Sequence, residues 1–432
     1  MSVRSRHGTP AATLRSGWAR LGAGLITGAA DDDPSGIATY SQAGAQFGYQ
    51  LGWTLLFSYP LMVVIQNLSA RIGRVTGRGI AGNLRGHYPV WVLQPIVWLL
   101  FAANVLNLGA DLGAMAEAVR LLVPRVPAWV WIICFGLTCT LVPLLLSHRL
   151  YVGVLKWLTL ALFSYFGVLA VVHVDWGKVA AAVLIPRCSF DMQFWLMVMA
   201  ILGTTISPYL FFWQATQEVE DTRAHPQRLP LKRRPGQAPA ALARIRLDTL
   251  AGMAFSNLVG LAILIATAST LGTAKVGHVQ TAAQAAEALR PLAGNFAFAL
   301  FALGIVGTGL LSVPVLAGSA AYALGEARRW PVGFSRKPLQ ARAFYAALAL
   351  AMLLGSLVNV AAVNPMQALL WAAVLNGLVA VPVMVLIVRM AADHSIMGRF
   401  VAPGPWLLLA WVATGVMAVA TLGWLLSVAA AH

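Results

Sequence analysis

The sequence predicts an all-α membrane protein with about eleven transmembrane helices, two of them broken near mid-membrane. Hydrophobic residues make up 59% of the 432 residues and charged residues only 10%, and the mean hydropathy is +0.76. A soluble chain carries about a quarter charged residues, so this composition excludes an ordinary soluble protein. Acids or prolines interrupt two of the apolar stretches, and these interruptions predict the breaks.

Eleven apolar stretches are each long enough to span a bilayer, which takes about 20 helical residues. They cover approximately residues 21–47, 50–73, 90–122, 127–147, 150–175, 192–220, 246–270, 294–323, 342–361, 364–389 and 404–429. They predict a single transmembrane domain over 1–432, with a tail at 1–20 and an extra helix within 400–432. The first stretch is not expected to be a cleaved signal peptide, because acids interrupt it and no small-residue cleavage site follows.

The formal net charge is +16. The basic residues along the chain are distributed as in a membrane protein, which favours this class over a nucleic-acid-binding protein. With the N-terminus in the cytoplasm, 24 of the 30 Lys and Arg residues fall on the inner side. An odd number of spans then leaves the C-terminus outside. We expect a multi-pass protein of a bacterial-type inner membrane, with the lipid bilayer as partner and no obligate protein partner. The basic, Pro-rich loop at 224–241 is expected to be flexible.

The first break is predicted at Asp31-Asp32-Asp33-Pro34-Ser35-Gly36, inside an otherwise uncharged apolar stretch. A carboxylate near the bilayer centre costs about 2.5–3.5 kcal/mol on insertion scales, so acids at this depth indicate function. Proline lacks an amide proton and glycine loosens the backbone. Freed carbonyls and a carboxylate at such a break are how transporters build a cation site.

The second break is predicted at Ser207-Pro208, in the middle of the sixth span, where Thr204 and Thr205 can satisfy freed backbone groups. Residues 21–175 and 192–389 then form two halves with matching breaks, the pattern of an inverted-repeat transporter. The alternative is two proline-kinked helices without a site.

These stretches resemble the Nramp family of divalent metal transporters. Residues 33–36 stand where the family has Asp-Pro-Gly-Asn, and residues 42–49 continue the likeness along the first helix. Residues 68–73 resemble the end of the family's second helix, and residues 207–209 match its Met-Pro-His in the sixth. The resemblance extends over 17–430. It implies a LeuT-like fold with a 5+5 inverted repeat, discontinuous helices 1 and 6, and import of a divalent metal ion.

The resemblance also implies a set of metal ligands. Asp33 keeps the family's carboxylate, and the backbone carbonyl of Thr204 stands where the family offers an oxygen. Gly36 replaces an asparagine and leaves only its backbone, while Ser207 replaces a methionine and exchanges a soft thioether for a hard hydroxyl. Oxygen ligands suit hard ions, and Mg²⁺ prefers one or two carboxylates plus water. Mg²⁺ or Mn²⁺ is therefore the expected substrate. The replacements resemble the family's magnesium-transporting branch more than its manganese and iron branch, and no cofactor is expected.

Three further residues are candidates near the metal. Asp32 is offset from Asp33 by about 100° around a helix, so it reaches the same site only if the helix is already unwound. Asp31 and Asp32 are otherwise expected to line an aqueous vestibule or to meet arginines. Asn376, in the tenth span, lies near where the family places a polar group facing the metal.

A proton or polar pathway is a separate expectation. Asp111 on the third span matches the family's first acid, and Glu117 lies beyond the position where a glutamate is usual. The family's sixth-helix histidines are replaced by Tyr209 and Gln214, which do not titrate near neutral pH. We therefore expect transport that is weakly or not coupled to protons. A plainer interpretation of the third-span residues is hydrogen bonding between helices.

Two other functions remain open at this point. One is a proton-coupled Mn²⁺/Fe²⁺ symporter, and the other is a sodium-coupled carrier of a small amine or amino acid on the same fold. An enzyme is not expected, because no His-Glu-x-x-His, Ser/His or Gly-x-Gly-x-x-Gly arrangement occurs at a plausible depth.

Overall fold

The computed structural model describes residues 27–28, 30–145, 162–189, 191–225, 227–272, 279–361 and 363–430. The predicted tail at 1–20, the start of the first span and residues 150–161 of the fifth lie outside these ranges. Within them the chain is helical, without strands. The α-helices are α1 (Pro34–Phe47), α2 (Gly52–Thr76), α3 (Ile80–His87), α4 (Val90–Arg120), α5 (Ala128–Leu145), α6 (Phe163–Val171), α7 (Trp176–Leu184), α8 (Met192–Thr205), α9 (Pro208–Ala224), α10 (Ala238–Thr267), α11 (Ala282–Glu287), α12 (Arg290–Ala293), α13 (Ala297–Arg328), α14 (Arg342–Val358), α15 (Pro365–Ala392), α16 (His394–Met397) and α17 (Gly404–Ala430).

Eight helical segments of the described chain are long and apolar enough to cross a membrane. They include α2, α4, α10, α13, α14, α15, α17 and the pair α8–α9, and a shorter apolar helix covers Ala128–Val142. Long apolar runs with few charges form these helices because all backbone hydrogen bonds are then satisfied inside the segment. The expectation of an all-helical, multi-span membrane protein is confirmed.

Both predicted breaks are present. Residues 27, 28, 30 and 31 are helical, Asp32 and Asp33 are not, and α1 begins at Pro34. Helix α8 ends at Thr205, and α9 begins at Pro208 after two non-helical residues. In each case proline occupies the first position of the second half-helix, where its missing N–H costs no hydrogen bond.

The loop before α10 differs from its expected form. Helix α10 begins at Ala238 rather than near residue 246, because its first turns are rich in alanine, which is a strong helix former. The amides of Leu231 and Lys232 donate to the carbonyls of Arg74 and Val75, both at 3.2 Å. These carbonyls end α2 and lack partners within their own helix. The loop is therefore attached to α2 instead of being free.

Close helix packing positions the two breaks near each other. Helix α4 packs against α13, α14 and α15, while α1 contacts α10 and α15. Helix α8 crosses α15 at Gly203, where an added Cβ would overlap the carbonyl oxygen of Ala373. Small residues allow membrane helices to approach this closely. This crossing brings the end of α8 beside the middle of α15.

Candidate metal site

Asp33 is the N-cap of α1 and is 1% exposed. Its Oδ1 accepts hydrogen bonds from the Ser35 hydroxyl at 2.6 Å and from the Gly36 amide at 2.9 Å. An N-cap aspartate followed by proline is a common helix start, because the carboxylate satisfies a free N–H and meets the positive end of the helix dipole. The local sequence thus fixes this carboxylate at the break.

The second carboxylate oxygen of Asp33 points to the other broken helix. Its Oδ2 accepts a hydrogen bond from the hydroxyl of Tyr209, in the first turn of α9, at 3.1 Å. The same hydroxyl lies 3.1 Å from the carbonyl oxygen of Ala30, just before the first break. Tyr209 therefore connects both sides of the first break to the start of α9.

Ser207 and Thr204 lie together at the second break, as expected. The Ser207 hydroxyl is 2.9 Å from the Gly203 carbonyl and 2.8 Å from the Thr204 carbonyl. Ser207 is the N-cap of α9, yet its side chain does not cap that helix. It bonds backwards to α8 instead. Its proton is directed at the carbonyls, and its lone pairs are the part available to a cation.

The two breaks meet through side-chain hydroxyls. The oxygens of Ser35 and Thr204 are 3.4 Å apart. A Cβ added at Gly36 would lie 3.3 Å from Oγ1 of Thr204, so glycine leaves room for the threonine here. Asp33, Thr204, Ser207 and the Gly36 backbone thus belong to one buried polar region. Among the described hydrogen bonds, none joins Asp33 directly to Ser207.

Asp31 and Asp32 have a different environment from the one expected. Both are fully buried, and both accept from the Ser256 hydroxyl of α10, at 2.6 Å to Asp31 and 3.1 Å to Asp32. Within the described residues they are enclosed beside α10 and are not paired with an arginine. In the described chain, Asp31 Oδ1 and Asp32 Oδ2 have no hydrogen-bond partner. No basic side chain described here pairs with any of the three aspartates.

Asn376 is 1% exposed on α15, next to Gly377, which packs against α8. Neither its amide nitrogen nor its carbonyl oxygen has a partner among the described residues. Leaving a buried amide unpaired costs about 1–3 kcal/mol, so Asn376 stays a candidate ligand.

Asp111 and Glu117 are not brought together. Asp111 is fully buried on α4, where Oδ2 accepts from the Ser312 hydroxyl of α13 at 3.3 Å and Oδ1 is unpaired among described residues. Asn104, two turns earlier, donates to the Leu316 carbonyl at 3.0 Å. Glu117 is half-buried and accepts from the backbone of Ala282. The hydrogen bonds of Asp111 and Asn104 to α13 match the plainer interpretation of this stripe.

Gln214 lies in a separate polar cluster with Gln66 and Thr249. Its amide donates to the Thr249 hydroxyl at 3.0 Å, and its carbonyl accepts from Gln66 at 2.8 Å. These contacts join α9 to α2 and α10 and do not involve Asp33.

Ser35 and Ser256 are polar partners that the sequence analysis did not identify. The contact of Ser35 with Asp33 could be predicted from the sequence, because Asp-Pro-Ser at a helix start places the serine hydroxyl within reach of the capping carboxylate. The contacts of Ser256 could not be predicted in this way, since they depend on how α10 packs over the first break. The described residues contain no cluster of three His, Cys, Asp or Glu side chains able to hold a metal. A cation here would therefore need carbonyl and hydroxyl oxygens beside Asp33.

Curated relatives cover most of the chain. The divalent metal cation transporter MntH of Verminephrobacter eiseniae is 28% identical over 374 residues, which is 81% of this chain and 80% of the relative. MntH of Acidiphilium cryptum is 28% identical over 409 residues, which is 90% of this chain and 87% of the relative. These relatives are named as transporters, which agrees with the expectation that the chain is not an enzyme.

The fold is similar to those of solved transporters. The crystal structure of the Eremococcus coleocola manganese transporter, in complex with an aromatic bis-isothiourea compound, matches with a TM-score of 0.71 at 17% identity, covering 99% of this chain and 89% of that one. MhsT in complex with L-phenylalanine matches with a TM-score of 0.57 at 15% identity, and the match covers 95% of this chain and 98% of MhsT. The LeuT-like fold is thus confirmed.

The sequence as a whole identifies the family. The model of natural resistance-associated macrophage protein-like sequences matches residues 24–427, which include both breaks and nearly every helix described above. The chain belongs to the Nramp family.

Proposed function

We propose that this chain imports a divalent metal cation through a buried site between its two broken helices. The single observation that carries the proposal is Asp33, a carboxylate enclosed at the first break without a basic partner among described residues. Burying an unpaired charge is costly, so such a group is retained where a cation neutralises it. The curated relatives are named divalent metal cation transporters, and one structural neighbour is a manganese transporter.

The ligand atoms that the protein supplies in this proposal are all oxygens, and water completes the coordination. They are the Asp33 carboxylate, the Ser207 hydroxyl and the backbone carbonyls of Thr204 and Gly36. Asn376 completes the set through its unpaired amide oxygen. Hard ligands suit hard cations, and Mg²⁺ keeps several waters, which smaller side chains at 36 and 207 accommodate. This chemistry supports Mg²⁺ or Mn²⁺ as the substrate.

We assign Asp31 and Asp32 an electrostatic role beside the site. Ser256 holds one oxygen of each carboxylate at the contact with α10. When these carboxylates are ionised, their negative charge in a medium of low dielectric raises the attraction of the region for a divalent cation. Asp32 is therefore a neighbour of the metal rather than its first ligand in this proposal.

We further propose that transport is weakly or not coupled to protons. The group of α9 that donates to Asp33 is the phenol of Tyr209, and Gln214 is hydrogen-bonded to Gln66 and Thr249. Neither side chain exchanges a proton near neutral pH. Asp111, bonded to Ser312, and the half-buried Glu117 remain the acids through which a proton-coupled Mn²⁺/Fe²⁺ symporter would work.

The proposed architecture follows from the matching breaks. The halves 21–175 and 192–389 move against each other around the fixed site, and the helix within 400–432 lies outside the repeat. The excess of Lys and Arg on one side supports a cytoplasmic N-terminus and an external C-terminus in a bacterial inner membrane.

Uptake into proteoliposomes tests this function. Wild-type protein is expected to carry Mg²⁺ and Mn²⁺ inward. Asp33→Asn keeps the shape of the side chain but removes its charge, and it is expected to abolish uptake. Asp191→Asn is the matched control, because Asp191 is an exposed acid at the start of α8. Sodium-dependent uptake of an amino acid or amine, with no metal uptake, would instead establish the carrier alternative.

A further inference from the structure

A cavity lies away from the breaks, between α2, α10 and α17. Its volume is about 240 Å³. Asn67 and Arg71 of α2, Arg246 of α10, and Pro403 and Trp406 at the start of α17 line it. None of the residues in the proposed metal site or polar pathway lines this cavity.

The helical repeat explains why these side chains face one cavity. Asn67 and Arg71 are four residues apart on α2, so they lie on the same face of that helix. Leu242 and Arg246 have the same spacing on α10 and also line the cavity. Both α10 and α17 pack against α2, and the cavity is the cleft that remains among the three.

Two guanidinium groups are held at the cavity wall. Arg71 donates through Nε to the Phe400 carbonyl at 3.0 Å and through Nη2 to the Val401 carbonyl at 3.1 Å. The guanidinium carbon of Arg246 lies 5.9 Å from the ring centroid of Trp406, within cation–π range. No carboxylate lines the cavity. Its charge is therefore positive and is not balanced by its own lining.

Asn67 is an independent sign of a missing ligand. Only 7% of this residue is exposed. Its amide nitrogen has no hydrogen-bond partner among the described residues. A buried amide donor is satisfied by an acceptor, and the two arginines that line the same cavity favour an acceptor with negative charge. A metal cation on its way through the protein does not fit such a lining.

We propose that this cavity binds the headgroup of an anionic phospholipid. The cavity lies where α2 ends and where α10 and α17 begin, so it faces one surface of the membrane. Leu247 and Leu408, beside Arg246 and Trp406, are 65% and 68% exposed and offer apolar surface to acyl chains. Basic pockets between membrane helices on the cytoplasmic side hold anionic headgroups, and tryptophan is enriched at that depth. This inference rests on the membrane fold and does not depend on the transported ion.

Native mass spectrometry of the purified full chain tests the proposal. The protein in detergent is titrated with phosphatidylglycerol and, separately, with phosphatidylcholine. Wild type is expected to retain phosphatidylglycerol at least about tenfold more than phosphatidylcholine, since two arginines contact the charge. Arg246→Gln and Asn67→Leu are each expected to reduce this retention several-fold. Arg399→Gln is the matched control, because Arg399 lies over Phe400 nearby without lining the cavity.

Monodisperse elution and unchanged metal uptake in detergent-free vesicles verify that the variants fold. Equal retention of the two lipids, or unchanged retention in both Arg246→Gln and Asn67→Leu, would overturn the proposal. Inorganic phosphate is the competing source of the same chemistry. Displacement of phosphatidylglycerol by millimolar phosphate would assign the cavity to a free anion and would also overturn it.

Discussion

The hydroxyl of Tyr209 donates to Oδ2 of Asp33 across the gap between the two broken helices, at 3.1 Å. This bond is the direct side-chain link between the N-cap of α1 and the first turn of α9. A cation that binds Asp33 must share this carboxylate with the phenol. Residue 209 is therefore expected to control both the affinity of the site and its dependence on pH.

Replacing Tyr209 by histidine should make metal binding depend on pH. An imidazole titrates near pH 6.5, and its protonated form beside Asp33 repels a divalent cation. Metal affinity of Tyr209→His is expected to fall as the pH is lowered through about 6.5, which titration calorimetry at several pH values measures. Tyr209→Phe is the control, because it removes the same hydrogen bond without adding a titrating group. Parallel pH profiles for the two variants would contradict this role.

Replacing Ser207 by methionine should change the preference among ions. A thioether is a soft ligand and favours late transition metals over Mg²⁺. Ser207→Met is expected to raise Mn²⁺ or Cd²⁺ uptake relative to Mg²⁺ by about tenfold, an effect of about 1.4 kcal/mol. Ser207→Ala also loses the bonds to the Gly203 and Thr204 carbonyls but adds no sulfur. The ion ranking of Ser207→Ala should stay closer to that of wild type, and an unchanged ranking in Ser207→Met would refute the assignment.

Asn376 should affect stability and metal binding in opposite directions. Its amide is buried and unpaired among described residues, and such a group costs about 1–3 kcal/mol. Asn376→Leu is therefore expected to raise the melting temperature of the metal-free protein. The same variant should lose part of the stabilisation that added metal gives, because one ligand is gone. Thermal unfolding with and without Mn²⁺ measures both effects, and a uniform loss of stability would indicate a packing role only.

Gly203 should be intolerant of even a methyl group. An added Cβ would overlap the Ala373 carbonyl of α15, and backbone cannot move aside as a flexible side chain can. Overpacking of this kind costs about 1–3 kcal/mol, so Gly203→Ala should lower the melting temperature and metal uptake. Gly415→Ala in α17 is the control, because nothing lies within 4 Å of the added atom. Equal melting temperatures for the two variants would contradict the close crossing.

The fold and the two breaks were largely predictable because they depend on local chemistry. The length of the apolar stretches predicts the membrane helices. Pro34 and Pro208 mark the positions where α1 and α9 begin. Helix α10 begins before the apolar stretch near residue 246, because its first turns are rich in alanine and are helical. A helix can extend beyond the apolar stretch that crosses the bilayer, so that stretch alone does not set where the helix begins.

The partners inside the site were less predictable because they depend on packing between distant helices. The sequence indicates both Asp33 and Tyr209 as candidate site residues, but nothing in their spacing reveals the hydrogen bond between them. Asp31 and Asp32 were expected near water or arginine, yet Ser256 of α10 holds both. A partner 225 residues away in the chain is decided by tertiary structure alone.

The position of a bound ion tests the central claim most directly. Crystals of the protein grown with Mn²⁺ should give one anomalous scattering peak between the two breaks, beside the Asp33 carboxylate and the Thr204 carbonyl. The peak should vanish in Asp33→Asn and persist in Asp191→Asn. A peak held by Asp31 and Asp32 with Asp33 uninvolved, or a peak that survives in Asp33→Asn, would contradict the account.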